Sequence, residues 1–261
     1  MISVWIEVDD AGRDLLIAEL WEAGTLGITE ASGSLRAFFR DDADIHELNS
    51  RFAEYHPQIT AEEDRDWAQE SRDQWQPTAV GERFYLVPEW RDDPAPCGRI
   101  RLRTYPGMAC GTGAHPCTQL CLEAMERHLP ESGRVLDVGT GSGILAQAAH
   151  LLGAEQVFAC DIDHQASMIA RDNFRKSPYQ IPVFTGSLRS VRSGSIQTVL
   201  ANLNAATLRQ MRDDLTRITG PGATLILSGF RDDETDDVVP TAARVTQALE
   251  RDGWSSVILS T

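Results

Sequence analysis

The chain has 261 residues, 42% of them apolar and 24% charged, which is enough for one large domain or two small ones with a sizeable core. No run approaches the roughly 18–20 consecutive apolar residues of a membrane span. Met1-Ile2-Ser3-Val4-Trp5 lacks the basic-then-apolar order of a secretory signal, so a cytoplasmic protein is expected. The net charge of −15 is concentrated in residues 1–64, which carry 15 acids and four bases. Such a surface either suits a basic partner or simply keeps the protein in solution, and it repels phosphate backbones, so direct nucleic-acid binding is not expected.

The first 62 residues read as a small α/β unit. Val4, Ile6 and Val8 alternate with polar positions as in a half-buried strand, and Leu15, Leu16, Leu20 and Trp21 follow at helical spacing with Gly24 at the helix end. Two short strands at 26–29 and 35–39 flank a hairpin turn at Ala31-Ser32-Gly33-Ser34. Ile45, Leu48, Phe52 and Tyr55 predict a second helix, and a strand at 58–61 completes a β-α-β-β-α-β order, the ferredoxin-like arrangement.

Residues 63–98 read as a connector, with Trp67, Trp75 and Trp90 set among Pro77, Pro88, Pro94 and Pro96. Proline stiffens such a segment, and the indoles would dock two domains or line a substrate groove.

From 99 to 261 strands alternate with helices. Strands are predicted at Arg134–Val138, Gln156–Asp161, 181–185, 198–202 and 224–228, and helices at Pro116–His128, 143–152, His164–Arg175 and Ala205–Ile218. Short apolar strands separated by helices imply a doubly wound, mostly parallel Rossmann-like sheet. Strands at 245–249 and 254–259 around Arg251-Asp252-Gly253 break the alternation, so an antiparallel hairpin ends that sheet. The five cysteines show no C-x-x-C pair, and no metal site is expected.

The chemistry concentrates at Val135-Leu136-Asp137-Val138-Gly139-Thr140-Gly141-Ser142-Gly143, where a strand runs into a glycine-rich turn that opens a helix. Glycine there lets a ligand lie against the backbone, at the strand end where doubly wound sheets bind. Asp161 closes the next strand, 18 residues after Gly143, where a carboxylate accepts hydrogen bonds from two ribose hydroxyls. The spacing is G-x-G-x-G, with Ile144 where the dinucleotide fingerprint has its third glycine, and no phosphate-binding G-x-x-x-x-G-K-[ST] loop is present. A nucleoside without phosphates fits best, and S-adenosylmethionine (AdoMet) is the usual one. An NAD-dependent oxidoreductase or a non-catalytic nucleoside-binding module remains the alternative of a different class.

The chain resembles the PrmA-type methyltransferases of large-subunit ribosomal protein L11. The resemblance rests on the loop Pro106-Gly107-Met108-Ala109-Cys110-Gly111-Thr112-Gly113-Ala114-His115-Pro116-Cys117-Thr118, on the glycine turn with Ile144 and Leu145, and on Asp161-Ile162-Asp163 with Ala170-Arg171-Asp172-Asn173. Ala201-Asn202-Leu203 and Leu225-Ile226-Leu227-Ser228-Gly229 extend it. It implies AdoMet contacts from Thr118, Gly139, Asp161 and Asn202, with Gly141 in the same turn, and an N-terminal domain that holds a basic ribosomal protein for transfer to lysine or α-amino nitrogens. The chain departs from the family at Cys110, where phenylalanine is usual, and after Asn202, where it reads Leu203-Asn204-Ala205-Ala206-Thr207 and lacks the family's proline. Because that segment adjoins the expected amine site, another protein or a small molecule stays open as acceptor. No catalytic base is identifiable; His115 is a candidate for that role or for a structural one in its loop. The oligomeric state is not readable.

Overall fold

The computed structural model describes residues 1–9, 12–31, 33–61, 75–105, 113–130 and 132–261. Ser32 of the predicted hairpin turn, Trp67 of the connector, and 106–112 of the Gly-Thr-Gly-x-His loop, with Cys110, lie outside the described residues. The chain forms two compact units, Met1–Gln74 and Trp75–Thr261.

In the smaller unit, β1 (Ile2–Glu7), α1 (Arg13–Glu22), β2 (Gly27–Ala31), β3 (Ser34–Phe39), α2 (Ile45–Arg51) and β4 (Gln58–Ala61) build an antiparallel sheet of order β2-β3-β1-β4. Alternation along β1 sends Ile2, Val4 and Ile6 into a core with Leu16, Leu20, Leu48 and Phe52. The expected apolar helix stripe is placed differently from what its spacing implied: Leu15 and Trp21 are 62% and 54% exposed, while Leu16 and Leu20 are buried and Ile17 packs beside them. The second helix is also shorter than predicted. It stops at Arg51 and gives way to a 3-10 turn at Ala53–Tyr55.

The larger unit begins inside the segment read as a connector. There β5 (Thr78–Val80) and β6 (Phe84–Pro88) join β7 (Ile100–Thr104) in a three-stranded sheet, with β6 and β7 parallel. Then follow α3 (Pro116–His128), β8 (Arg134–Val138), α4 (Ile144–Leu151), β9 (Gln156–Asp161), α5 (His164–Arg175), β10 (Val183–Thr185), β11 (Ile196–Asn202), α6 (Ala205–Ile218), β12 (Thr219–Arg231), α7 (Thr235–Val238), β13 (Arg244–Arg251) and β14 (Trp254–Ser260). The seven-stranded sheet has the order β10-β9-β8-β11-β12-β14-β13. Its first five strands are parallel, and the terminal hairpin pairs antiparallel through β14, as the broken rhythm of the tail predicts.

Both faces of this sheet are buried, and residue parity decides which core each side chain enters. Val135, Leu200, Ile226 and Ile258 share one core with α3, α4 and α5. Leu136, Val138, Val199, Ala201, Leu225, Leu227, Val257 and Leu259 share the other with α6 and α7. The continuous apolar runs of these strands are the signature of a sheet covered on both sides. The strand order reverses between β8 and β11, which opens a crevice at their carboxyl ends.

Candidate functional site

The glycine turn after β8 is fixed at both ends. Gly139 and Thr140 donate backbone hydrogen bonds to the Cys160 carbonyl at 2.9 and 3.0 Å, and Gly143 donates to the Thr140 carbonyl at 2.8 Å. Gly139, Gly141 and Gly143 have φ of 68°, 53° and 88°, the left-handed region that favours glycine. Packing adds a second constraint, since a Cβ at Gly139 would come within 2.4 Å of Leu203 and one at Gly143 within 2.5 Å of the Phe174 ring.

Asp161 stands at the end of β9 with its carboxylate oriented by the backbone. Oδ2 accepts from the Gly141 N–H at 3.1 Å and Oδ1 from the Asp163 N–H at 3.0 Å. A carboxylate offers about four lone-pair positions, so two remain for hydroxyl donors. Asp163 then caps α5 by accepting from the Gln165 N–H.

Asp137 joins the site although spacing alone assigns it no role; the signal for it is an acid inside an apolar strand just before a glycine turn. It is 1% exposed, and one oxygen accepts from Thr140 Oγ1 at 2.6 Å and from the Ala146 N–H at 3.1 Å. It thus satisfies an amide in the first turn of α4, whose own capping position is Gly143 with no side chain to offer. Burial pushes its carboxyl up to about 6; the two hydrogen bonds oppose the rise and the Asp161 charge adds to it.

A cavity of about 220 Å³ opens beside this turn, lined by Gly139, Asp161, Ile162, Leu188, Leu203 and Met211 among others. Ile162 is 80% exposed, an apolar side chain left uncovered next to the carboxylate. Apolar side chains beside the oriented Asp161 carboxylate fit the planar base and the vicinal hydroxyls of a nucleoside, while Asp214, also on the wall, is paired with Arg217 at 3.0 Å.

Thr118 and Asn202 meet from distant parts of the sequence. Thr118 lies in the first turn of α3 and is buried; Asn202 ends β11, and its Nδ2 donates to Thr118 Oγ1 at 3.1 Å. The chain beyond Asn202 is held closely. Leu203 N–H donates to the Ser228 carbonyl, and Gly229 has φ 98° where a Cβ would lie 2.5 Å from the Leu203 carbonyl oxygen. Leu203 packs on Gly139, so it links the Thr118–Asn202 pair to the glycine turn. Asn204, the departure from the expected pattern, caps α6 by accepting from the Thr207 N–H at 2.9 Å.

His115 caps the helix that follows it. Its Nδ1 accepts from the Cys117 N–H as the cap of α3, with Pro116 in the first turn, and its ring meets Trp254 edge-on at 4.8 Å. Cys117, Cys121 and Cys160 are buried free thiols, and burial holds all three above the usual thiol range. Among the described residues no group of three His, Cys, Asp or Glu is placed to hold a metal, and no helix is long and apolar enough to cross a membrane.

The family model described as ribosomal protein L11 methyltransferase (PrmA) matches residues 6–261. A ribosomal protein L11 methyltransferase of Geobacter metallireducens is 37% identical over 244 residues, covering 86% of this chain and 81% of that protein. The one from Hydrogenovibrio crunogenus is 36% identical over 208 residues, covering 77% and 70%. The crystal structure of ribosomal protein L11 methylase from Lactobacillus delbrueckii subsp. bulgaricus superposes with a TM-score of 0.64 at 28% identity, over 71% of this chain and 97% of that one.

Proposed function

The chain belongs to the ribosomal protein L11 methyltransferase (PrmA) family, and from that premise we propose that its methyl donor is AdoMet and its acceptor an amine of ribosomal protein L11, met in the cytoplasm. It is a protein N-methyltransferase. The observation that carries the donor assignment is the Asp161 carboxylate, already aimed by two backbone N–H groups at the lip of an apolar cavity.

In this reading Asp161 accepts the two ribose hydroxyls with its remaining lone pairs, Ile162 and Leu188 flank the base, and Gly139 and Gly141 let the amino-acid end lie against the backbone. Bound AdoMet supplies a methyl group on a cationic sulfur, already activated for displacement. The protein's part is alignment and exclusion of water, which contribute most when reacting atoms are held in line. Thr118 fixes the Asn202 amide through Nδ2, which leaves Oδ1 without a hydrogen bond among the described residues and free to accept an N–H of the incoming amine. The amine must arrive neutral, and a free lysine is neutral in only about one molecule in 2,500 at pH 7. An acceptor such as Asn202 Oδ1 orients that neutral form, because it directs one N–H and therefore the nitrogen lone pair. The acidic smaller unit supports a basic protein as substrate.

Incubation with isotopically labelled AdoMet and purified L11, followed by mass spectrometry of the product, tests the reading. It predicts labelled methyl groups on amine nitrogens of L11; unlabelled L11, with label on another protein of a ribosomal mixture or on none, contradicts it.

A further inference from the structure

We propose that the smaller unit carries a receptor for one lysine or arginine side chain of the protein substrate, formed by Trp5, Glu7, Glu54 and Tyr55. This deepens the reading above and rests on it for the identity of the substrate.

Strand alternation that buries Val4 and Ile6 turns Trp5 and Glu7 to the opposite face of the sheet, away from the core. Trp5 stays 39% exposed between two fully buried neighbours and stands outside the core that α1 and α2 cover. Gln58 of the edge strand β4 is its register partner. The chain enters β4 through Glu54, Tyr55 and His56, the last in the left-handed region at φ 49°, so this corner stands over the same edge. These residues enclose a cavity of about 400 Å³.

Its lining selects charge. Trp5 and Tyr55 supply aromatic surface, Glu7 and Glu54 add carboxylates, His56 and Gln58 complete the lining, and among the described residues no lysine or arginine contributes to the wall. Arg36, the register partner of Trp5 on β3, does not line the cavity; its guanidinium lies over the Phe38 ring at 5.2 Å. Burial, with the Glu19 and Glu54 carboxylates, holds the Tyr55 hydroxyl proton more tightly than usual, as expected where negative charge gathers. An anion is repelled here, and an uncharged apolar side chain would leave the carboxylates without a partner. A long cationic side chain satisfies both walls, its stem on the indole and its head between the carboxylates. The excess of 15 acids over four bases in residues 1–64 draws such a partner toward this unit from a distance.

The test uses the complete chain with L11 and AdoMet. Glu7→Gln/Glu54→Gln keeps the shape of two exposed side chains and removes their charge. A control, Asp41→Asn/Asp42→Asn, removes the same charge from an exposed turn of the same unit that does not line the cavity. The receptor predicts a KM for L11 at least tenfold higher in the cavity variant, with kcat and the AdoMet Kd within twofold of wild type, and a rise below threefold in the control. An unchanged KM in the cavity variant, or an equal rise in both, overturns the receptor while leaving the methyltransferase reading intact. A wild-type chain that does not methylate L11 overturns both.

Discussion

Asn202 donates to Thr118 across 3.1 Å, although 84 residues separate them in the chain. The bond joins the end of a central strand to the first turn of the helix that precedes the sheet, and it sets which way the Asn202 amide faces. Thr118→Val removes the acceptor while keeping the shape, and leaves a part-buried amide unpaired at a cost of about 1–3 kcal/mol. Thr118→Ser retains the hydroxyl. The valine variant should therefore lose kcat at least tenfold with the serine variant near wild type, as read from initial rates at saturating AdoMet.

Asn204 offers the opposite expectation. Its side chain caps α6 and does not line the cavity, although Leu203 before it does, so Asn204→Ala should cost about 1 kcal/mol of stability through the lost cap. Urea unfolding reads that loss, and AdoMet affinity should stay within twofold. A large loss of affinity would give Asn204 a role in binding.

Asp137 makes stability respond to pH. Its folded carboxyl lies near 6, above the ordinary value of 3.8, so between about pH 4 and 6 the native chain binds a proton that the unfolded chain does not. From this group alone stability rises as pH falls through 6 and levels off below 4, by an amount on the order of 3 kcal/mol. Urea unfolding of wild type and Asp137→Asn across pH 4–8 isolates it. The wild type should gain on the variant as pH falls, and a constant difference would contradict the shift.

The concentration of acid in residues 1–64 predicts salt dependence. Raising ionic strength tenfold should raise KM for L11 steeply while AdoMet affinity changes far less, because AdoMet carries a single net positive charge and the basic protein many. A flat KM in a salt series of initial rates would count against electrostatic docking.

Much of the fold was legible because its determinants are local. Pro116–His128, His164–Arg175 and Ala205–Ile218 are helices over the predicted spans, and each starts at a residue able to cap it: His115, Asp163 and Asn204. The terminal hairpin was legible from its Asp252-Gly253 turn, where both residues have positive φ. Strands β5 and β6 were hidden by brevity and by neighbouring prolines, and the parallel partner of β6, β7, lies beyond a loop. Leu15 and Trp21 show that helical spacing gives a period without saying how wide the buried stripe is. In the site, glycines and an acid at fixed spacing pointed to a turn and a carboxylate. The Asp137 contacts with Thr140 and Ala146 depend on how the strand, turn and helix pack, and the Thr118–Asn202 contact on the closing of the sheet. No short window of sequence holds that information.

Titration calorimetry with AdoMet on wild type and Asp161→Ala tests the central assignment most directly. The account predicts a single AdoMet site in the wild type, weakened by about 1–3 kcal/mol in the variant through lost ribose hydrogen bonds, and no comparable heat with NAD. Equal AdoMet affinity in the two proteins, or tight NAD binding without an AdoMet signal, would contradict it.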